Sequence, residues 1–208
     1  MFTTLLLYLA LGALASFLGT IPMGPINMTI VYTAIRSTMH RTLIVVWGAA
    51  LVEIGQAAVA LLFGRIVVDY LESSNTIQLT SIVVLAAVGI YFWLKATRPA
   101  PERKDRRFPP FLKGVIVGVL NPQALPFWFF VITLLQSAGL LDPVALLRLP
   151  LLPAFLFGVF IGKFACLSAY AWVSEYISRR TARVSFWINR ILGTVFLVLA
   201  GIQLIKWW

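Results

Sequence analysis

The chain is 208 residues long, 61% apolar and 12% charged, with a mean hydropathy of +0.94 and a net charge of +10. That is more apolar surface than a soluble domain of this size can bury, whereas six spans of roughly 20 residues would absorb most of it, so soluble enzyme classes fall away. The basic excess does not mark a nucleic-acid binder, because most of the 17 Lys and Arg lie between hydrophobic runs, where charges orient a membrane protein.

In chain order, Met1 to Thr4 carry no Lys or Arg ahead of the first apolar run. Ala13 to Ser16 faintly resembles a signal-peptidase site, but a secretory signal needs a basic start, so a retained first span is expected. The hydrophobic runs predict span 1 from about Leu5 to Ile35, span 2 from Leu43 to Val68 and span 3 from Ile77 to Lys95. Spans 4 to 6 follow from about Gly114 to Gln136, Leu151 to Tyr176 and Phe186 to Trp208.

Thirteen Lys and Arg flank the 1–2, 3–4 and 5–6 connections, against three (Arg65, Arg148 and Lys206) on the other side. By the positive-inside bias those three connections are predicted cytoplasmic and both termini extracytoplasmic. Lys206-Trp207-Trp208 then reads as an interfacial anchor. The linker Arg98 to Arg107 reads as a solvated, topology-fixing segment, with docking of anionic lipid as the alternative.

Spans 1 and 4 each carry two prolines in mid-run, Pro22 and Pro25 in one and Pro122 and Pro126 in the other. Proline removes a backbone donor and clashes with the preceding turn, so both spans are predicted to break, over Pro22 to Asn27 and Asn121 to Pro126. Backbone freed in lipid must face protein or water. In span 2 Glu53 comes five residues after Gly48, and in span 5 Lys163 comes five after Gly158.

Three spans on each side of the linker turn the second half upside down relative to the first. The expected fold is thus an all-α integral membrane protein of six transmembrane helices, built as two inverted three-helix repeats with broken helices 1 and 4. It is one transport domain over 1–208: repeat one about 1–97, basic linker 98–113, repeat two about 114–208.

Glu53 and Lys163 are expensive in a membrane and need a partner, a wet cavity or a neutral state. Gln56 shares the helix face of Glu53. Gly12, Gly19, Gly48, Gly55, Gly158, Gly162, Gly193 and Gly201 read as close-packing points. Trp93, Trp128, Phe129 and Phe130 read as lipid-facing or interfacial aromatics. Cys166, the single cysteine, is expected to be a buried small hydrophobe.

Pro22-Met23-Gly24-Pro25-Ile26-Asn27, Asn121-Pro122 and Asn189-Arg190-Ile191-Leu192-Gly193 resemble the LysE family of amino-acid exporters, the lysine exporter and homoserine/threonine efflux group. The similarity covers nearly the whole chain. Members carry Pro-Gly-Pro in the first span, an acidic residue after a glycine in the second and Asn-Pro-Lys in the fourth. Here Met23 stands in place of the first proline, with Pro22 one residue earlier, and Gln123 in place of the lysine. A carboxylate-binding role for that lysine is not carried over; Lys163 is a substitute cation read from this sequence. The resemblance implies ion-gradient-driven export of small amino-acid-like solutes from the cytoplasm.

The candidate pathway is therefore Pro22, Met23, Gly24, Pro25, Asn27, Glu53, Gln56, Asn121, Pro122, Gln123 and Lys163. Half-helix N-termini suit a carboxylate, while exposed carbonyls and Glu53 suit an amine or proton. Gating of one half against the other would expose the site alternately. Glu53 and Lys163 are expected to form a coupling switch, or, in the plainer alternative, a static pair. The partners expected are a small solute, a coupling proton or sodium ion and membrane lipid, with a homo-oligomer left open and no nucleic acid.

The alternative on the same scaffold is a small-ion or metal cation exporter. No cofactor or resident metal is expected. An intramembrane enzyme is disfavoured, because His40 falls in a loop and Asp69, Asp105 and Asp142 fall at span ends or in loops.

Overall fold

The computed structural model describes residues 2–22, 24–73, 108–121, 123–146 and 150–174, with scattered positions between 79 and 94 and between 190 and 205. The described residues contain no strand. Among the described residues seven continuous helices follow one another: α1 (Phe2–Thr20), α2 (Pro25–Arg36), α3 (Met39–Ser73), α4 (Pro110–Val119), α5 (Ala124–Ser137), the single turn α6 (Pro143–Leu146) and α7 (Leu151–Trp172). Three are long and apolar enough to cross a membrane, Phe2–Thr20, Met39–Phe63 and Leu151–Trp172. The pair α4 and α5, bent by 63°, makes a fourth if taken as one broken span. Spans 3 and 6 and most of the linker lie largely outside the described residues.

Both expected breaks are present, with shifted edges. α1 stops at Thr20 and α2 starts at Pro25, so Asn27 lies inside a helix and not in the gap. The reason is that Pro25 occupies the first helical position, where its missing N–H costs nothing. α4 ends at Val119 and α5 starts at Ala124, which places Pro126 in the first turn of α5 for the same reason. α4 also begins at Pro110, so the linker gives way to helix before Lys113.

The contacts fall into two compact units. The first comprises Met1–Gly64 and Lys104–Arg179, and two of its helix contacts are glycine seams. On α1, Tyr8, Gly12, Ser16 and Thr20 form a buried stripe at four-residue spacing; on α7, Phe155, Gly158, Val159, Gly162 and Lys163 do so at three and four. These stripes come so close that a Cβ on Gly158 would sit 2.1 Å from the Leu9 carbonyl oxygen, and one on Gly12 2.2 Å from that of Phe155. Only glycine allows such an approach.

α3 and α4 repeat the arrangement. A Cβ on Gly48 would meet the Phe111 carbonyl at 2.3 Å and one on Gly114 that of Val45 at 2.1 Å. Among the described residues nothing lies within 4 Å of such a Cβ on Gly55 or Gly201, in contrast to the close packing expected there.

Two apolar clusters fill this unit. One gathers Tyr8, Ala57, Trp128, Val131, Ile132, Leu146, Phe155 and Val159; the other gathers Ile26, Ile30, Val45, Val46, Ala49, Leu167 and Ala171. The second unit comprises Arg65–Arg103 and Arg180–Trp208. In it Gly89 and Gly193 approach each other, a Cβ on Gly193 falling 2.8 Å from the Gly89 carbonyl oxygen, and the Arg190 guanidinium lies 4.0 Å over the ring of Trp93.

Candidate functional site

Glu53 sits midway along the apolar part of α3 and is 3% exposed; Lys163 sits midway along α7 and is 5% exposed. The helices face each other there because their stripes carry one charge each among small and apolar neighbours. Lys163 Nζ lies 3.0 Å from Glu53 Oε2. The approach misses the angles of a hydrogen bond, so Oε2 gains Coulombic attraction while still lacking a directed donor. Along α3 the pair falls between Val45, Val46 and Ala49 of one cluster and Ala57 and Ala60 of the other; along α7, between Phe155 and Val159 and Leu167 and Ala171. It is thus closed off by apolar side chains on both sides.

The other carboxylate oxygen is held by a residue that the sequence did not single out. The indole N–H of Trp128, on α5, donates to Glu53 Oε1 at 3.0 Å. Trp128 is fully buried, its ring edge-on to Phe127 and Phe155. This corrects the expectation that it faces lipid or the interface; a buried indole needs an acceptor, and Glu53 supplies one. Of the other three aromatics, Trp93 and Phe130 are exposed and Phe129 is half-buried against the first cluster.

Gln56, one turn beyond Glu53, donates through Nε2 to the Gly118 carbonyl at 3.0 Å, near the end of α4. Its Oε1 is buried and has no donor. Two acceptor oxygens on α3, Glu53 Oε2 and, a turn later, Gln56 Oε1, therefore lack hydrogen-bond donors, and the first of them faces the Lys163 ammonium. Cys166 lies one turn after Lys163 and is buried, as expected.

At the first break three backbone carbonyls accept hydrogen bonds from side chains. Asn27 Nδ2 donates to the Thr20 oxygen at 2.6 Å and to the Pro22 oxygen at 3.1 Å, and the Tyr170 hydroxyl donates to the Ile21 oxygen. Tyr170 was also missed, since a tyrosine in an apolar run gives no sign of facing inward. At the second break Asn121 Oδ1 accepts from the Gln123 amide at 3.3 Å, closing the local turn. The Gln123 side chain reaches the first break: a Cβ on Gly24 would lie 2.9 Å from its Oε1. The structure thus brings Gln123 to Gly24 and Glu53 to Lys163, while Asn27 and Asn121 each serve their own break. Met23 and Pro122 lie outside the described residues. Among the described residues no group of three or more His, Cys, Asp or Glu could hold a metal.

Compared with known families, residues 17–206 match the LysE type translocator model. No curated protein and no solved structure matches the chain.

Proposed function

The chain belongs to the LysE type translocator family, a family of membrane transporters for amino-acid-like solutes and not of enzymes, and from that premise we propose that it is a secondary exporter working by alternating access. The observation that carries this reading is the buried Glu53–Lys163 pair with donor-poor oxygens on Glu53 and Gln56 beside it. A buried pair must overcome the desolvation of both ions, and packing alone does not require it. The same groups complement a zwitterion. Its ammonium supplies donors to Glu53 Oε2 and Gln56 Oε1, and its carboxylate takes the Lys163 ammonium that the competition releases. A proton or sodium ion on Glu53 would provide the coupling.

Six spans in two inverted repeats form part of the proposal. They are supported by the correspondence between the seams, in which Gly12 faces Phe155 and Val159 as Gly114 faces Val45 and Ala49, and Gly158 faces Leu9 and Ala13 as Gly48 faces Phe111 and Val115. Glu53 and Lys163 then occupy equivalent depths. The thirteen-to-three distribution of Lys and Arg supports cytoplasmic odd-numbered connections in a bacterial inner membrane, with both termini outside. The segments with Pro22, Met23, Gly24, Pro25 and Asn27, and with Asn121, Pro122 and Gln123, flank this pathway, and the second of them is its hinge.

The test is flux from proteoliposomes against a panel of radiolabelled amino acids, with a proton or a sodium gradient imposed separately. Gradient-dependent movement of at least one amino acid, lost in Glu53→Gln, is the expected result. Movement of inorganic cations alone would favour the small-ion reading, and no movement of either would reject a transporter of this kind.

A further inference from the structure

Trp128 stands on the part of span 4 that follows the break, and this gives its bond to Glu53 a consequence beyond packing. α5 starts at Ala124, directly after the non-helical stretch, so only the first turn of the half-helix separates Trp128 from the hinge. Val131 and Ile132 of the same half-helix close the apolar cluster on one side of the ion pair. Indole is a donor only, and its bond to a carboxylate is charge-assisted. The cluster around α5 is otherwise held by apolar contacts that lack direction, with Phe127 against Gly19 of α1 as the nearest fixed point.

We infer that Trp128 is a positioning residue: its indole latches half-helix α5 over the buried pair, and a solute ammonium that draws the Glu53 carboxylate away releases the latch. This rests on the exporter reading for the identity of the solute, but not for the latch itself. Because Oε1 is the acceptor of the indole, turning the carboxylate toward another cation leaves the N–H without a partner in an apolar site, which favours movement of α5. The charged and titratable groups on the elements around Glu53 do not replace it. α7 brings Lys163, Cys166 and Tyr170, with Lys163 on the other oxygen and Tyr170 bonded to the Ile21 carbonyl. α1 brings Tyr8, whose hydroxyl accepts from the Asp142 amide. α4 brings Lys113, which donates to Thr33 of α2, and α2 ends in Arg36, stacked on Tyr32.

Ile132→Cys in a Cys166→Ala background, in nanodiscs that expose both faces, reports the position of α5 through labelling by an impermeant maleimide. Ile132 is buried, so labelling without solute is expected to be slow. Adding Trp128→Phe should raise the rate roughly tenfold or more, the equilibrium shift expected for loss of one ionic hydrogen bond. If Trp128→Phe does not fold, benzothienylalanine at position 128, which keeps the ring shape but lacks the N–H, serves instead. In flux measurements the same replacement should lower KM for the transported amino acid, because the solute no longer competes with the indole, while the maximal rate falls. Unchanged labelling, or a lower maximal rate with unchanged or raised KM, would overturn the latch and leave Trp128 as packing. If no amino acid in the panel moves, the exporter reading fails, and the labelling rate still decides the latch.

Discussion

The two breaks arise from the same sequence device and are finished differently. At the first, three successive carbonyls are covered by two side chains, Asn27 from the following half-helix and Tyr170 from α7. At the second, the Gly118 carbonyl is met by Gln56 and the turn is closed by Asn121 from within itself, while the half-helix beyond carries the donor to Glu53. A proline pair thus specifies that a helix stops. What the interruption is used for is decided by the side chains that reach it from elsewhere: the first break is stitched shut, and the second is wired to the ion pair.

The largest expected effects come from cutting that wiring at its centre. Glu53→Gln and Lys163→Met should each abolish gradient-driven export, and each alone should cost about 3–5 kcal/mol because one buried charge is left unpaired. The combined Glu53→Leu, Lys163→Met variant should recover most of the thermal stability in detergent but no flux. Flux in the double variant at the wild-type level would reduce the pair to a packing element and leave the second break no more functional than the first.

The next test separates the breaks by stability. Asn27→Leu strips donors from one buried and one part-buried carbonyl at once and should cost about 2–4 kcal/mol, roughly twice the cost of one unsatisfied group. Thermal unfolding followed by size-exclusion chromatography reads this. Gln56→Leu removes one half-buried bond and should cost only about 1 kcal/mol, yet lower flux far more than its stability loss explains. If Gln56→Leu transports normally, the orphan oxygen on Gln56 is not part of the solute site. Smallest is Tyr170→Phe, expected to cost about 1 kcal/mol with flux retained; flux lost in this variant would mean that the first break moves as well.

Several of these features could be read from residues alone, and the division has physical reasons. Prolines in mid-run announced both breaks, since a missing donor is local chemistry, but the edges were drawn too far downstream because proline is well tolerated in a first helical turn. Glu53 and Lys163 stood out because a charge in an apolar helix is costly wherever it points, and each follows a glycine, Gly48 or Gly158, by five residues. Trp128 and Tyr170 did not stand out. An amphipathic aromatic suits lipid headgroups and a buried acceptor equally well, and in a helix that is apolar all round no periodicity tells which face is inside. The tight approaches at Gly12, Gly48 and Gly158 were expected as packing, but which helix each would meet depends on topology.

The glycine seams also determine what can travel with what. Where α1 meets α7 and α3 meets α4, main-chain atoms touch main-chain atoms, and such a contact has no rotamers to rearrange. Each seam joins a helix from the first half of the sequence to one from the second. For the alternating access proposed above, the pieces expected to stay rigid are accordingly the mixed pairs α1–α7 and α3–α4, rather than the two sequence halves. Between these pieces lie side-chain contacts that can break and re-form: the Glu53–Lys163 bridge, and the ring of Trp47 against Phe160 and Phe164. The two halves of the sequence are thus cross-laced, so that on the exporter reading proposed above a stroke would displace one hybrid pair past another, with the ion pair on the sliding plane.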